Sequence, residues 1–164
     1  MEKPHQNTKI RILFVCLGNI CRSPAAETIF AKLASHSKLV VEVDSAGISG
    51  WHKGEKADRR MRDAAQRRGY QITSISRPVV KSDFSQFDLI VAMDNENFRD
   101  LMSIASTDEE KNKIVRMADF LVKHHYDHIP DPYYGDANEF NLVIDLLEDA
   151  SHGLISQLKT KLSL

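Results

Sequence analysis

One stretch of this chain, residues 16–24, restricts the possible folds more than any other. It follows a short apolar run, residues 10–15, and precedes a segment, residues 25–33, whose apolar side chains recur at helical spacing. The run is typical of a buried strand. Strand, tight loop and helix in this order predict a loop at the carboxyl end of a strand, where parallel sheets with helices on both faces place their ligands.

The loop contains the residue types that an anion-binding site needs. Gly18 and Asn19 tolerate left-handed backbone angles, which can turn successive N–H groups inward around an anion. The following helix adds unpaired N–H groups and the positive end of its dipole. Ser23 and Pro24 suit its N-cap and first turn. The pattern predicts a cradle for a tetrahedral oxyanion.

Cys16 and Arg22 supply the chemistry of this loop. Their C-x5-R spacing lets a short loop curl around an oxyanion whose oxygens Arg22 can bind in pairs. In that positive field Cys16 is expected to be a nucleophilic thiolate, with the Ser23 hydroxyl donating to its sulfur. The spacing alone is also compatible with a cysteine that is merely a small buried hydrophobe. A nucleotide-binding loop is disfavoured because no lysine follows Gly18.

A cysteine that displaces a phenolate or alkoxide requires a proton donor on the opposite side of the substrate. Asp131 is the candidate, because Pro130 and Pro132 stiffen the backbone around it. The same Asp-Pro pair is common in surface turns, so this segment by itself leaves both interpretations open.

Composition narrows the class of protein. A chain of 164 residues with 42% hydrophobic and 27% charged residues is typical of one globular domain. A net charge of −1 gives no reason to expect nucleic acid or a membrane surface as a partner. Both cysteines lie in the one loop, which argues against a secreted disulfide framework and for the cytoplasm. Residues 1–9 are polar, without a signal-peptide core, and are predicted to be a flexible tail before a single domain, residues 10–164.

Apolar patterns along the rest of the chain predict an α/β fold, a parallel sheet of about four strands with helices on both faces. Further strands are predicted over residues 39–43, 89–93 and 114–117, and helices over residues 57–68, 95–104 and 136–162. Residues 47–56 are predicted to be a loop, residues 71–80 are ambiguous, and residues 107–113 are predicted to be a charged connector. Trp51 stands among glycines and polar residues, which favours a binding surface over the core.

The sequence V-C-L-G-N-I-C-R-S-P resembles the signature of the low-molecular-weight protein tyrosine phosphatases, and D-P-Y-Y-G-D resembles their general-acid loop. The resemblance extends from Ile12 to about Leu158. It implies phosphotyrosine hydrolysis through a phosphocysteine, with Cys16 as nucleophile, Arg22 as phosphate ligand and Asp131 as acid and then base. The implied partners are phosphotyrosine proteins or peptides, and inorganic phosphate or similar oxyanions at the loop. No metal ion or other cofactor is expected, and the protein is expected to be a monomer or weak dimer.

The resemblance also implies roles for the surrounding residues. Asn19, Ser23 and Ser45 are expected to hold the loop in shape by hydrogen bonds. Cys21 is expected to pair with an oxidised Cys16 and protect it from irreversible oxidation. Contacts with substrate are expected from Leu17, Gly18, Asn19, Ile20, Cys21, Ser23, Trp51, Tyr133 and Tyr134. The aromatic members would wall a slot that phosphotyrosine can enter but in which phosphoserine is too short.

One departure from the family pattern stands out. The family often has a histidine where this chain has residues 73–76, Thr-Ser-Ile-Ser, although Arg77 remains. The bracing role of that histidine is expected to be unfilled, which would loosen the loop that contains Asn19 and lower the activity.

Three other functions are compatible with a loop of this kind. Phosphoarginine phosphatases resemble it but have threonine in place of Ile20 and a smaller residue near the acid-loop aromatics, so Ile20, Tyr133 and Tyr134 favour phosphotyrosine. Arsenate reductases of this fold need cysteines beyond Cys21 to pass a disulfide along. A non-catalytic phosphate-binding module would be expected to lack one of the three catalytic residues, and all are present.

Overall fold

The computed structural model describes residues 9–164 and has the predicted α/β architecture. The predicted tail lies outside the described residues, except for Lys9, which begins the first strand. The strands are β1 Lys9–Cys16, β2 Val40–Gly47, β3 Leu89–Ala92 and β4 Ile114–Arg116. The helices are α1 Arg22–Ala34, α2 Arg59–Gln66, α3 Asp83–Gln86, α4 Asn95–Ile104, α5 Asp108–Asn112 and α6 Ala137–Lys161. No helix within the described range is long and apolar enough to cross a membrane.

The sheet is parallel throughout, in the order β2-β1-β3-β4. Strand β1 is therefore central, and its side chains alternate between the two faces of the sheet. Ile12 and Phe14 pack into the core beneath α1, α2 and α6, whereas Leu13 and Val15 pack into the core beneath α3 and α4. Because all four strands run the same way, the loops that follow β1, β2 and β3 meet at one edge of the sheet.

The second strand is longer than predicted. Residues 44–47, which follow the predicted strand, continue β2, because the backbone from Asp44 to Gly47 pairs in register with β1 up to Cys16. Ser45 is thereby held beside the end of β1 and is buried. The extension brings a hydroxyl group behind the loop that follows Cys16.

Two other local predictions were wrong, and one ambiguous segment is resolved. Helix α1 begins at Arg22 with Cys21 as its N-cap, so Ser23 lies within the first turn and makes no cap hydrogen bond. Residues 107–113 contain α5, whose N-cap is Thr107. The ambiguous residues 71–80 form only isolated bridges, at Ile75 and Pro78.

Helix α6 packs closely against the 3-10 turn Met117–Phe120 and the residues that follow it. The Asp149 carboxylate accepts backbone N–H groups of Val122, Lys123 and His124. Gly153, one turn later, is buried, and a side chain there would overlap the Phe120 carbonyl oxygen. The sequence suggests a weak point in the helix at Gly153, but the residue is required for this close approach.

We expect Gly153→Ala to lower the free energy of unfolding by about 1–3 kcal/mol, because the added methyl group forces α6 away from the turn. Gly50→Ala is the control, since its added carbon would meet Pro78 at an ordinary 3.7 Å. Urea denaturation measures both changes. Equal stability of the two variants would contradict the close contact between Gly153 and the Phe120 carbonyl.

Candidate active site

A cavity of about 290 Å³ opens at the carboxyl end of β1. It is lined by Cys16, Leu17, Gly18, Ile20, Cys21, Arg22, Trp51, His52, Asp131, Tyr133 and Tyr134. Cys16 is only 3% exposed, but it belongs to this lining and not to a closed interior. The nucleophile and the acid predicted from two distant segments therefore face the same cavity.

The backbone of the loop is arranged with its carbonyl groups turned outward. The carbonyl of Leu17 accepts the Ser49 N–H at 2.9 Å, and that of Ile20 accepts the Asp58 N–H at 2.8 Å. The N–H groups of residues 18–21 donate no hydrogen bond to any residue in the described part of the chain. Asn19 has a left-handed φ of 58°. Carbonyls outward and amides inward are the arrangement of an anion-binding nest.

Gly18 is needed for space and not for an unusual backbone angle. Only Asn19 of the pair adopts positive φ. A carbon added at Gly18 would lie 3.0 Å from Cδ2 of His52, tighter than ordinary van der Waals contact. The loop after β2 and the loop after β1 thus touch at this glycine.

A chain of buried hydrogen bonds supports the loop from behind. Cys16 Sγ lies 3.0 Å from the Ser23 hydroxyl, as predicted. The Asn19 amide donates to Ser23 at 2.8 Å and to Ser45 at 3.0 Å. The side chains of Asn19 and Ser23 do not line the cavity. These two side chains therefore contact other residues of the loop and of β2, and not the cavity.

Ser76 and Arg77 brace the loop that was expected to be loosened by the missing histidine. The Arg77 N–H donates to the Asn19 side-chain oxygen at 3.0 Å, and the Ser76 hydroxyl donates to the Gly18 carbonyl at 3.1 Å. The loop that contains Asn19 is therefore held on that side without a histidine.

Arg22 is 3% exposed and is fixed by two partners at its Nη1 atom. It donates to Asp94 Oδ2 at 2.7 Å and to the Ile129 carbonyl at 2.9 Å. Burial lowers the pKa of Arg22, but the negative charge of ionised Cys16 and the hydrogen bond to Asp94 outweigh it and raise the pKa overall. The guanidinium therefore remains charged at neutral pH.

The predicted acid is held over the cavity by a buried anchor. The Ile129 N–H donates to the Met93 carbonyl at 2.8 Å, directly beyond β3. Two residues later, Asp131 Oδ2 lies 3.7 Å from Arg22 Nη2, and the Asp131 side chain is 46% exposed. The carboxylate therefore lines the cavity beside Arg22 while remaining open to water.

Aromatic side chains form the rim. Trp51 is 81% exposed on its loop, and Tyr134 is 96% exposed. Tyr133 packs edge-on against Tyr134 with ring centroids 5.0 Å apart, and the Arg60 guanidinium lies 5.3 Å from the Tyr133 ring centroid. Such exposed rings can stack on a flat substrate group that enters between them.

Cys21 also lines the cavity, and both cysteines are free thiols. Burial, followed by the nearby negative charge of Asp58, raises the pKa of Cys21 far above its ordinary value. Cys21 is therefore a neutral thiol at neutral pH. Among the described residues, no group of three or more histidine, cysteine or acidic side chains is placed to hold a metal ion.

Sequence patterns did not identify two residues of the site, Asp94 and His52. The sequence around Asp94 predicts only a helix cap. Asp94 is such a cap, and it accepts the Asn97 N–H at 2.7 Å. Its second role, the ion pair with Arg22, links residues 72 positions apart. His52 follows Trp51 and pairs with Glu55 through Nδ1 at 3.2 Å. The position of Asp94 directly after a buried strand was the available signal, because such positions share the sheet edge with Cys16.

Comparison with known proteins places this geometry in a family. The profile of the "Low molecular weight phosphotyrosine protein phosphatase" family matches residues 11–164. A low molecular weight protein-tyrosine-phosphatase of Streptomyces coelicolor is 39% identical over 91% of this chain and 93% of its own.

Solved structures agree. The crystal structure of a protein tyrosine phosphatase from Entamoeba histolytica has 48% identity and a TM-score of 0.90, covering 93% of this chain and 98% of its own. The arginine phosphatase YwlE of Bacillus subtilis is more distant, with 28% identity, a TM-score of 0.82 and coverage of 93% and 99%. The chain therefore belongs to the low molecular weight phosphotyrosine protein phosphatases, a family of hydrolases.

Proposed function

We propose that the cavity hydrolyses phosphotyrosine in two steps through Cys16. The Cys16 thiolate attacks the phosphorus atom, the bond between phosphorus and the phenolic oxygen breaks, and Asp131 donates its proton to the leaving oxygen. The ionised Asp131 then accepts a proton from water, which attacks the phosphocysteine. The phosphorus–sulfur bond breaks, inorganic phosphate leaves and the thiolate is restored.

One observation carries this proposal. Asp131, anchored beyond β3, lies 3.7 Å from the guanidinium of Arg22, which sits at the exit of the Cys16 loop. Nucleophile, anion ligand and proton donor therefore line one cavity. The inward amides and Arg22 would neutralise the charge that spreads over the phosphoryl oxygens in the transition state.

The distant likeness to an arginine phosphatase makes phosphoarginine the second candidate substrate. The residues of the cavity favour phosphotyrosine over phosphoarginine as the substrate. Ile20 gives the cavity an apolar lining, and the rings of Trp51 and Tyr134 are exposed where an aromatic substrate would enter. A guanidinium gains less from apolar walls than a phenyl ring does.

We expect kcat/KM for a phosphotyrosine peptide to exceed that for the matched phosphoarginine peptide by at least about tenfold, which corresponds to ~1.4 kcal/mol of transition-state binding. Release of inorganic phosphate from both peptides measures the ratio. Ile20→Thr is the informative variant, and it should reduce the ratio. A wild-type preference for phosphoarginine would contradict the substrate assignment without touching the role of Cys16.

Cys21 is proposed to protect the nucleophile. Peroxide would oxidise Cys16 to a sulfenic acid, the Cys21 sulfur would attack it, and water would leave as the disulfide forms. The support is that both cysteines are free and line the same cavity.

The proposed setting is the cytoplasm, where both cysteines would stay reduced, with phosphoproteins as substrates and the chain acting as a monomer or weak dimer. A single catalytic domain over residues 10–164 is supported by the one sheet and by the extent of the family match.

A further inference from the structure

Behind the loop, buried polar side chains continue beyond Ser45 to a residue that the mechanism does not use. Glu27, on α1, accepts the Ser45 hydroxyl hydrogen at 2.6 Å. Ser45 in turn contacts Asn19, which contacts Ser23, which contacts Cys16. An unbroken row of hydrogen bonds therefore runs from a carboxylate on α1 to the sulfur in the cavity.

The direction of the bonds at Asn19 is determined by their chemistry. A backbone N–H can only donate, so the Arg77 N–H fixes the Asn19 oxygen on its side and directs the Asn19 NH₂ group at the two serines. Because an NH₂ group only donates, Ser23 and Ser45 both accept from it. Each serine then has one hydroxyl hydrogen left to donate.

The two remaining hydrogens have separate destinations. The Ser45 hydrogen goes to the carboxylate of Glu27, an acceptor with no hydrogen of its own when ionised. The Ser23 hydrogen goes to Cys16 Sγ at 3.0 Å, since its other neighbour, the Ala46 carbonyl, lies at 3.5 Å. A hydrogen bond donated to sulfur favours the thiolate over the thiol.

We propose that Glu27 is a positioning residue for the nucleophile: its carboxylate holds the Ser45 hydroxyl, which fixes Asn19 in its left-handed conformation and so aims the Ser23 hydroxyl at Cys16. This inference rests on the proposed function, in which Cys16 acts as a thiolate. Asn19 has a left-handed φ of 58°, which asparagine tolerates, and the hydrogen bonds to its side chain stabilise it in this conformation.

The surroundings of Glu27 agree with a functional role. Burial raises the pKa of Glu27, and the nearby charge of Asp44 adds to this, while Ser45 and Arg77 oppose it. A raised pKa means that the ionised form costs stability once the pH exceeds the ordinary value of a glutamate. A purely structural residue at this position would be better served by a neutral side chain.

The test is Glu27→Gln, with the reactivity of Cys16 as the readout. A glutamine can donate as well as accept, so it no longer compels Ser45 to donate. The rate of alkylation of Cys16 by iodoacetamide, followed by mass spectrometry from pH 4 to 9, gives the apparent pKa of the thiol. The other ionisable groups that line the cavity with Cys16 all remain in the variant; they are Cys21, Arg22, His52, Asp131, Tyr133 and Tyr134.

We expect the variant to raise this apparent pKa by about 0.5–1 unit, the effect of one hydrogen bond of ordinary strength. In a Ser23→Ala or Ser45→Ala background, the same change at Glu27 should add nothing. Urea denaturation at neutral pH should find the variant at least as stable as the wild type. Glu42→Gln, an exposed glutamate on β2 paired with Arg11, is the control and should leave the apparent pKa unchanged.

An unchanged apparent pKa in Glu27→Gln would overturn the inference, as would a shift that persists at full size after Ser23→Ala. Failure of the proposed function is distinguishable from either result. If the proposed function is wrong, Cys16 of the wild-type protein will be alkylated no faster than an ordinary thiol.

Discussion

Replacing Cys16 by serine is expected to reduce kcat/KM for phosphotyrosine by roughly 10⁵-fold, the loss typical of removing a catalytic nucleophile. The hydroxyl of a serine is neutral at pH 7, so it cannot attack phosphorus as a thiolate does. The loop amides and Arg22 remain in place, because their partners lie outside the side chain of residue 16. Binding of inorganic phosphate, measured by calorimetry, should therefore stay within a few-fold of the wild type.

Cys21→Ser is the matched control for this experiment, since it makes the same change of sulfur to oxygen in the same loop. Burial and Asp58 raise the pKa of Cys21, so this residue is a neutral thiol at neutral pH and is not expected to attack phosphorus. The control should retain most of the turnover. A Cys16→Ser variant as active as the Cys21→Ser variant would exclude the phosphocysteine mechanism.

The second large effect is expected at Asp131. Changing it to asparagine removes the proton donor but keeps the shape of the side chain, and we expect kcat/KM for phosphotyrosine to fall by about 10²–10⁴-fold. The phenolate of an acidic phenol leaves without needing a full proton. For an aryl phosphate of such a phenol, kcat/KM, which reports only the first step, should therefore fall much less. Steady-state kinetics on both substrates measures the two losses.

The control is Asp127→Asn, which removes one charge from the same segment. Asp127 is 87% exposed and pairs with His128, away from the cavity lining. Its kcat should be close to that of the wild type for both substrates. Equal losses on the two substrates in Asp131→Asn would instead assign this residue to binding and not to proton transfer.

Local signals were sufficient for the fold wherever they were strong. The helix predicted over residues 95–104 is observed with those bounds, because Asp94 is a strong N-cap that accepts the Asn97 N–H. The last helix begins after Asp136 for the same reason. The prediction from sequence was wrong where one side chain could serve two roles. Ser23 has the chemistry of a cap, but its hydroxyl is committed to Cys16 and Asn19.

The site was predictable only in the parts that have a sequence pattern. The loop from Cys16 to Arg22 and the Asp131 segment each show their chemistry in consecutive residues. The partners that hold them do not, because they come together through the sheet. Asp94 meets Arg22 across 72 positions of sequence, and Glu27 meets Ser45 across 18. No spacing rule in one sequence connects such pairs.

The fixed guanidinium of Arg22 has a thermodynamic consequence for ligand binding. A free arginine side chain loses about 2 kcal/mol of rotamer entropy when it is immobilised on a ligand. Here Asp94 and the Ile129 carbonyl hold the side chain in the protein itself. Arg22 therefore loses this rotamer entropy during folding and not during binding. An oxyanion that binds does not have to order the side chain. More of the electrostatic attraction between Arg22 and the oxyanion then contributes to affinity.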